Sequence, residues 1–81
     1  MNTVKTSSGI EMPCEYFNPN EATKQIHIRI HGTDLARIAS VFSDRSETEM
    51  LWWGDSYAAN FTNLLAIVPE SGMVRVVLGK E

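Results

Sequence analysis

The segment QIHIRIH, residues 25 to 31, constrains this chain more than any other stretch. Ile26, Ile28 and Ile30 alternate with Gln25, His27, Arg29 and His31. A period of two places the isoleucines on one face of a β-strand and the polar residues on the other. Such a strand needs a pairing strand and a layer over its apolar face, so the chain must build a sheet with something packed on one side.

The rest of the sequence supplies those parts. NTVKTSSGIEMPCEYF, residues 2 to 17, reads as two extended segments around Ser7, Ser8 and Gly9, a hairpin. Pro13 removes a backbone donor, so its strand is expected at an edge or with a bulge there. NPNEAT, residues 18 to 23, reads as a loop. After Gly32, Thr33 is placed to cap a helix over residues 34 to 42, with Asp34 complementing its positive end and Leu35, Ile38, Val41 and Phe42 on one stripe. Residues 43 to 49, SDRSETE, read as an exposed charged connection. A hairpin turning at Gly54 and Asp55 and a turn from Pro69 to Gly72 lead into a final strand.

The expected fold class is therefore α+β. A mostly antiparallel sheet of about six strands, in the order β-β-β-α-β-β-β, curls into a small barrel or sandwich and is covered by one short helix. The expected core is Ile26, Ile28, Ile30, Leu35, Ile38, Phe42, Trp52, Phe61, Leu65, Ile67, Val74, Val76 and Leu78. A chain of 81 residues holds one such core, so residues 1 to 81 form a single domain. No apolar run approaches the roughly 18 residues of a membrane span, and the start of the chain has no apolar segment behind a basic one. With a single cysteine, Cys14, and so no internal disulfide, a soluble protein of a reducing cytoplasm is expected.

His27, Arg29 and His31 share one strand face and raise the question of a ligand. The two histidines lie on the order of 13 Å apart along a strand, too far to bind one metal ion, so no metal is expected. A small anionic ligand held by Arg29 with a flanking histidine stands beside the plainer reading of a solvated basic face. The net charge of −3 argues against nucleic acid as a partner.

The stretch MLWWGDSY, residues 50 to 57, carries the second question. With a two-residue loop, Trp53 pairs with Ser56 and Trp52 with Tyr57. Met50, Trp52, Tyr57, Ala59 and Phe61 then share an aromatic side, which assigns Trp52 to the core. Trp53 falls on the more polar side. There it either folds over a neighbouring loop or the N-terminal hairpin, or anchors an interface with a protein partner or a second copy of the chain. Trp53 is the expected anchor, with Tyr57, Arg29, His27 and His31 as lesser contacts.

No GxSxG, HExxH, P-loop or GxGxxG pattern occurs, and Asp44, Glu47 and Glu49 stand in what reads as a solvated loop. Neither a catalytic residue nor a cofactor is expected, and Cys14 reads as a small buried hydrophobe. Over residues 40 to 81, the elements VFSD followed by ET, then FTNLLAIVP and VRVVL, resemble small accessory proteins encoded by phages and prophages of gut Firmicutes type. The resemblance covers about half the chain and carries over no site residue. It implies a non-enzymatic virion or assembly module, in the virion or the host cytoplasm. The alternative is an intracellular inhibitor of a host defence system, anti-CRISPR-like or nucleotide-sequestering.

Overall fold

The computed structural model describes residues 2–80; the two terminal residues of the expected domain, Met1 and Glu81, lie outside the described residues. Seven strands and two helices follow one another as β1 (Thr3–Lys5), β2 (Glu11–Asn20), β3 (Gln25–His31), α1 (Leu35–Phe42), α2 (Arg45–Thr48), β4 (Met50–Trp53), β5 (Ser56–Ala59), β6 (Asn63–Glu70) and β7 (Met73–Gly79). The strands form one sheet in the order β5-β4-β1-β2-β3-β7-β6, with every neighbouring pair antiparallel. The fold is α+β as expected, and the sheet curls without closing into a barrel.

The central strand β2 holds the two halves of the sheet together. Its first residues, Glu11 to Pro13, pair with β1, while Cys14 and Tyr16 to Asn20 pair with β3. The register shifts between Cys14 and Tyr16, and a bulge of this kind bends and twists a strand. The bend falls two residues after Pro13. Cys14 donates its amide to Asn2 on the β1 side (2.9 Å), so the missing donor of Pro13 faces the other way, where pairing with β3 has yet to begin. β2 therefore carries its proline in the middle of the sheet, and it runs on through Asn18, Pro19 and Asn20, which read as loop.

The inner face is continuous across both halves. Val4, Met12, Cys14 and Phe17 join Ile26, Ile28, Ile30, Val74, Val76 and Leu78, and Ile38 and Phe42 of α1 close over them. Asp34, rather than Thr33, caps α1 by accepting from the amide of Arg37 (3.1 Å). Leu35 does not reach the core, because residues 32 to 37 are all exposed and the first turn of the helix stands clear of the sheet. The charged connection contains the short helix α2, whose buried Thr48 and half-buried Glu47 tie it to the turn after β1. The Glu47 carboxylate accepts from the Ser8 amide (3.0 Å), the Ser8 hydroxyl (2.7 Å) and the Thr6 hydroxyl (3.2 Å).

Two local irregularities move residues expected inside to the outside. Between Leu64 and Ala66 the register of β6 against β7 shifts by one, so Leu64 and Ile67 pack on the core while Leu65 turns out. Leu65 lies against Gly79, where an added Cβ would sit 3.1 Å from its Cδ1. The second irregularity is Asn60, whose φ of 66° lies in the left-handed region. It ends β5, starts the three-residue passage to β6 and makes seven strands of the expected six. It also reverses the parity of the chain, so that Phe61 is fully buried although Tyr57, four residues earlier, is exposed. Leu51 and Ala58 therefore face the core, and Trp52, placed there by its parity with Phe61, faces out.

A β-branched residue tolerates the left-handed region poorly, whereas glycine adopts it freely. Asn60→Val is expected to lose about 1–2 kcal/mol of stability in urea denaturation, with Asn60→Gly close to the parent. Equal stabilities for the two variants would show that the parity change does not depend on this residue.

Candidate functional site

With most of the inner face consumed by the core, two separate places on the outer face gather side chains open to ligands. The first is the β4–β5 hairpin. Its two-residue turn has Gly54 at φ 60°, and the pairing is as expected, Trp53 opposite Ser56 and Trp52 opposite Tyr57. The faces are the reverse of the expectation. Trp52 is 38% exposed and Tyr57 60% exposed, their ring centroids 5.4 Å apart and tilted by 43°. Lys5 on β1 pairs with Trp52, and the two line a shallow depression with Thr3, Glu11 and Gly54.

Trp53, the expected anchor, is half-buried and packs against the core. Its ring stacks on Phe17 of β2 at 5.9 Å and 25°. Of the two readings of Trp53, folding over the N-terminal hairpin is the one adopted. Its indole Nε1 is buried without a hydrogen-bond acceptor, a local cost that the stacked area must offset.

The second place is a groove of about 400 Å³ along the outer side of β3. Strand register sets its rows. Tyr16, Arg29 and Arg75 lie side by side on β2, β3 and β7. Asn18 and His27 follow in the next row, then Asn20 and Gln25. Arg29 reaches towards Glu15 (3.7 Å) and Glu70 (3.6 Å), and its guanidinium lies 6.0 Å from the centre of the Tyr16 ring. Both carboxylate distances exceed hydrogen-bond length, and the Nε atoms of Arg29 and Arg75 are buried without a hydrogen-bond partner.

The groove thus joins two of the expected site residues, His27 and Arg29. His31 lies elsewhere, in a depression shared with Thr33, Asp34 and Arg37 at the start of α1. Tyr57 belongs to the hairpin, four strands away from β3 in the sheet order. The other lining residues, Arg75 and the neutral Tyr16, Asn18, Asn20, Thr23 and Gln25, are not among the expected ones. The alternation of VRV, residues 74 to 76, signals only that Arg75 points outward from buried Val74 and Val76.

Among the described residues, no three His, Cys, Asp or Glu side chains gather where they could share a metal ion, and no helix is long and apolar enough to cross a membrane. Comparison with protein-family models, curated proteins and solved structures gives no match.

Cys14 faces the core, and its thiol donates to the Tyr16 carbonyl (3.0 Å). Burial pushes this thiol above its ordinary value, partly offset by hydrogen bonds with the backbone of Tyr16 and Arg29, while the Glu15 carboxylate adds to the rise. The folded chain therefore holds the thiol proton more tightly than the unfolded chain. The contribution of this group to stability is intact below the unfolded-state value and falls as pH rises through it. At pH 8, iodoacetamide is expected to alkylate Cys14 at least tenfold more slowly in the native chain than in urea, followed by mass spectrometry. Equal rates would place the thiol at the surface.

Proposed function

We propose that this protein is a non-enzymatic binding module that engages a protein partner through Trp52 and Tyr57 on the β4–β5 hairpin. The observation that carries this reading is the exposure of two large aromatic side chains, in contact with each other, on the outer face of the β4–β5 hairpin. Leaving such rings in water forgoes much of the free energy that their burial provides, and tryptophan and tyrosine are the side chains that most often dominate binding energy at protein interfaces.

The position of the pair fits a strand-adding partner. β5 is the last strand of the sheet, so one of its sides has no strand neighbour. An extended segment laid along β5 would take up its free backbone groups, while the Trp52–Tyr57 pair grips a side chain of that segment. Lys5 and Glu11 supply charges of both signs at the edge of the aromatic patch, as expected of a polar rim.

The resemblance of residues 40 to 81 to small phage and prophage proteins supports a role in virion assembly, in which a compact module adds itself to a larger component. Recognition then passes from Trp53, which the fold occupies, to its neighbour Trp52. The test is a pair of substitutions compared for folding and for binding to an isolated partner. Tyr57→Ala and Trp52→Ala should keep the parent's circular dichroism and urea midpoint while weakening partner binding by about 2 kcal/mol or more. Trp53→Ala should lower stability instead. If Trp52→Ala and Tyr57→Ala bind like the parent, the interface lies on another face.

A further inference from the structure

We infer that the groove on the outer side of β3 is a binding site for a phosphomonoester of nucleotide size, its phosphate held by Arg29, Arg75 and His27. This site is separate from the aromatic hairpin and does not depend on what binds there.

The first argument is charge. Arg29 and Arg75 are direct register partners on adjacent antiparallel strands. Like charges in that position repel, and a sheet keeps them at a cost unless an anion lies between them. The acidic residues nearby meet this charge at Arg29 only. Glu15 and Glu70 both lie on Arg29, at 3.7 and 3.6 Å, and Arg75 has no ion pair among the described residues.

The second argument is hydrogen bonding. Each guanidinium presents a planar fork of donors that matches the oxygens of a phosphate two at a time. In both arginines the Nε is buried without a hydrogen bond, that of Arg29 meeting only the Glu70 carboxylate at 3.6 Å, so donor capacity remains unused where both side chains line the groove. His27 sits one row from Arg29 on the same strand face and adds a third nitrogen donor.

The third argument is the shape and chemistry of the remainder. A groove of about 400 Å³ falls within the range of small-molecule sites and exceeds what a lone phosphate needs. Beyond the arginine row its lining becomes neutral and amide-rich, with Asn18 and Gln25 offering donors and acceptors together, as the edge of a base or a ribose requires. The exposed Tyr16 ring forms a wall at the charged end. Arg75, which no carboxylate meets among the described residues, stands with Arg29 beside a strip of carboxamides, an arrangement for a ligand that is anionic at one end and polar but uncharged at the other.

The test is an amide-resolved NMR titration of the full chain with four probes: adenosine 5′-monophosphate, ribose 5-phosphate, inorganic phosphate and adenosine. The nucleotide is expected to shift the amides of His27, Arg29 and Arg75 together with those of Asn18 and Gln25, leaving Trp52 and Tyr57 unmoved. Adenosine is expected to bind at least about tenfold more weakly. Arg75→Lys keeps the charge and removes the fork, and it should weaken nucleotide binding about tenfold with the fold retained. Glu70→Gln frees Arg29 from a competing carboxylate and should tighten binding a few-fold. A purely structural role for this carboxylate would not produce that gain. Equal binding of adenosine and its monophosphate, or no shift in the arginine row with any phosphate probe, would overturn the site. Inorganic phosphate binding as tightly as the nucleotide would overturn the assignment of the amide strip.

Discussion

Three residues, Asn60 to Thr62, join the two outermost strands of a seven-stranded sheet, and the shape of the molecule depends on that short connection. Laid flat, six inter-strand spacings would separate β5 from β6 by about 29 Å. The four steps from Ala59 to Asn63 span at most about 14 Å of extended chain. The sheet therefore has to curl until its edges approach each other at one corner. The similar extents of the molecule, 28 × 24 × 21 Å, are those of a rolled sheet. The bulge in β2 provides the bend, and the connection itself supplies a plug. Phe61 is fully buried, with the Lys80 ammonium 5.1 Å from the centre of its ring and held in place by Glu21 at 2.9 Å.

A curled sheet has a concave side that it must fill and a convex side that it cannot hide. The concave side takes the isoleucines of β3, Val74 and Val76 of β7, Phe17, Leu51 and Phe61, with Ile38 and Phe42 of α1 as the cover. Few of the polar atoms drawn into this region are left without partners. Glu47 takes three hydrogen bonds from the Thr6–Ser8 turn, and Ser7 exchanges bonds with the backbone of Met50. The loops at that end are thus fastened by a carboxylate that reads, in the sequence, as one member of a solvated charge run.

What the sequence discloses is local period, and it misleads where a single residue resets that period. The alternation of β3, the Gly54–Asp55 turn with its pairing and the eight-residue helix are all legible, since each is written in a few adjacent positions. The two tryptophans are not. Trp52 shares the parity of Phe61 only along a continuous strand, and the left-handed Asn60 breaks the count between them. Leu65 fails for the same reason at the bulge in β6. Of the outer groove, His27 and Arg29 are legible as neighbours on one face. Arg75 becomes their companion only through the pairing of β3 with β7, a contact between segments more than forty residues apart that no local pattern announces.

The two exposed places differ in kind, and the difference follows from where each sits on the roll. The hairpin lies at an edge, where the backbone of β5 is open and two rings stand out from a short strand, an arrangement suited to adding another chain. The groove lies over interior strands, whose backbone groups are already paired, so only side chains are available to meet a ligand. Those side chains are cationic in one row and amides in the next, fixed in spacing by the sheet beneath them. An interior strand offers this rigidity because its register cannot slip without exposing Ile26, Ile28 and Ile30, and the same alternation that secures the core also holds His27 and Arg29 on the opposite side.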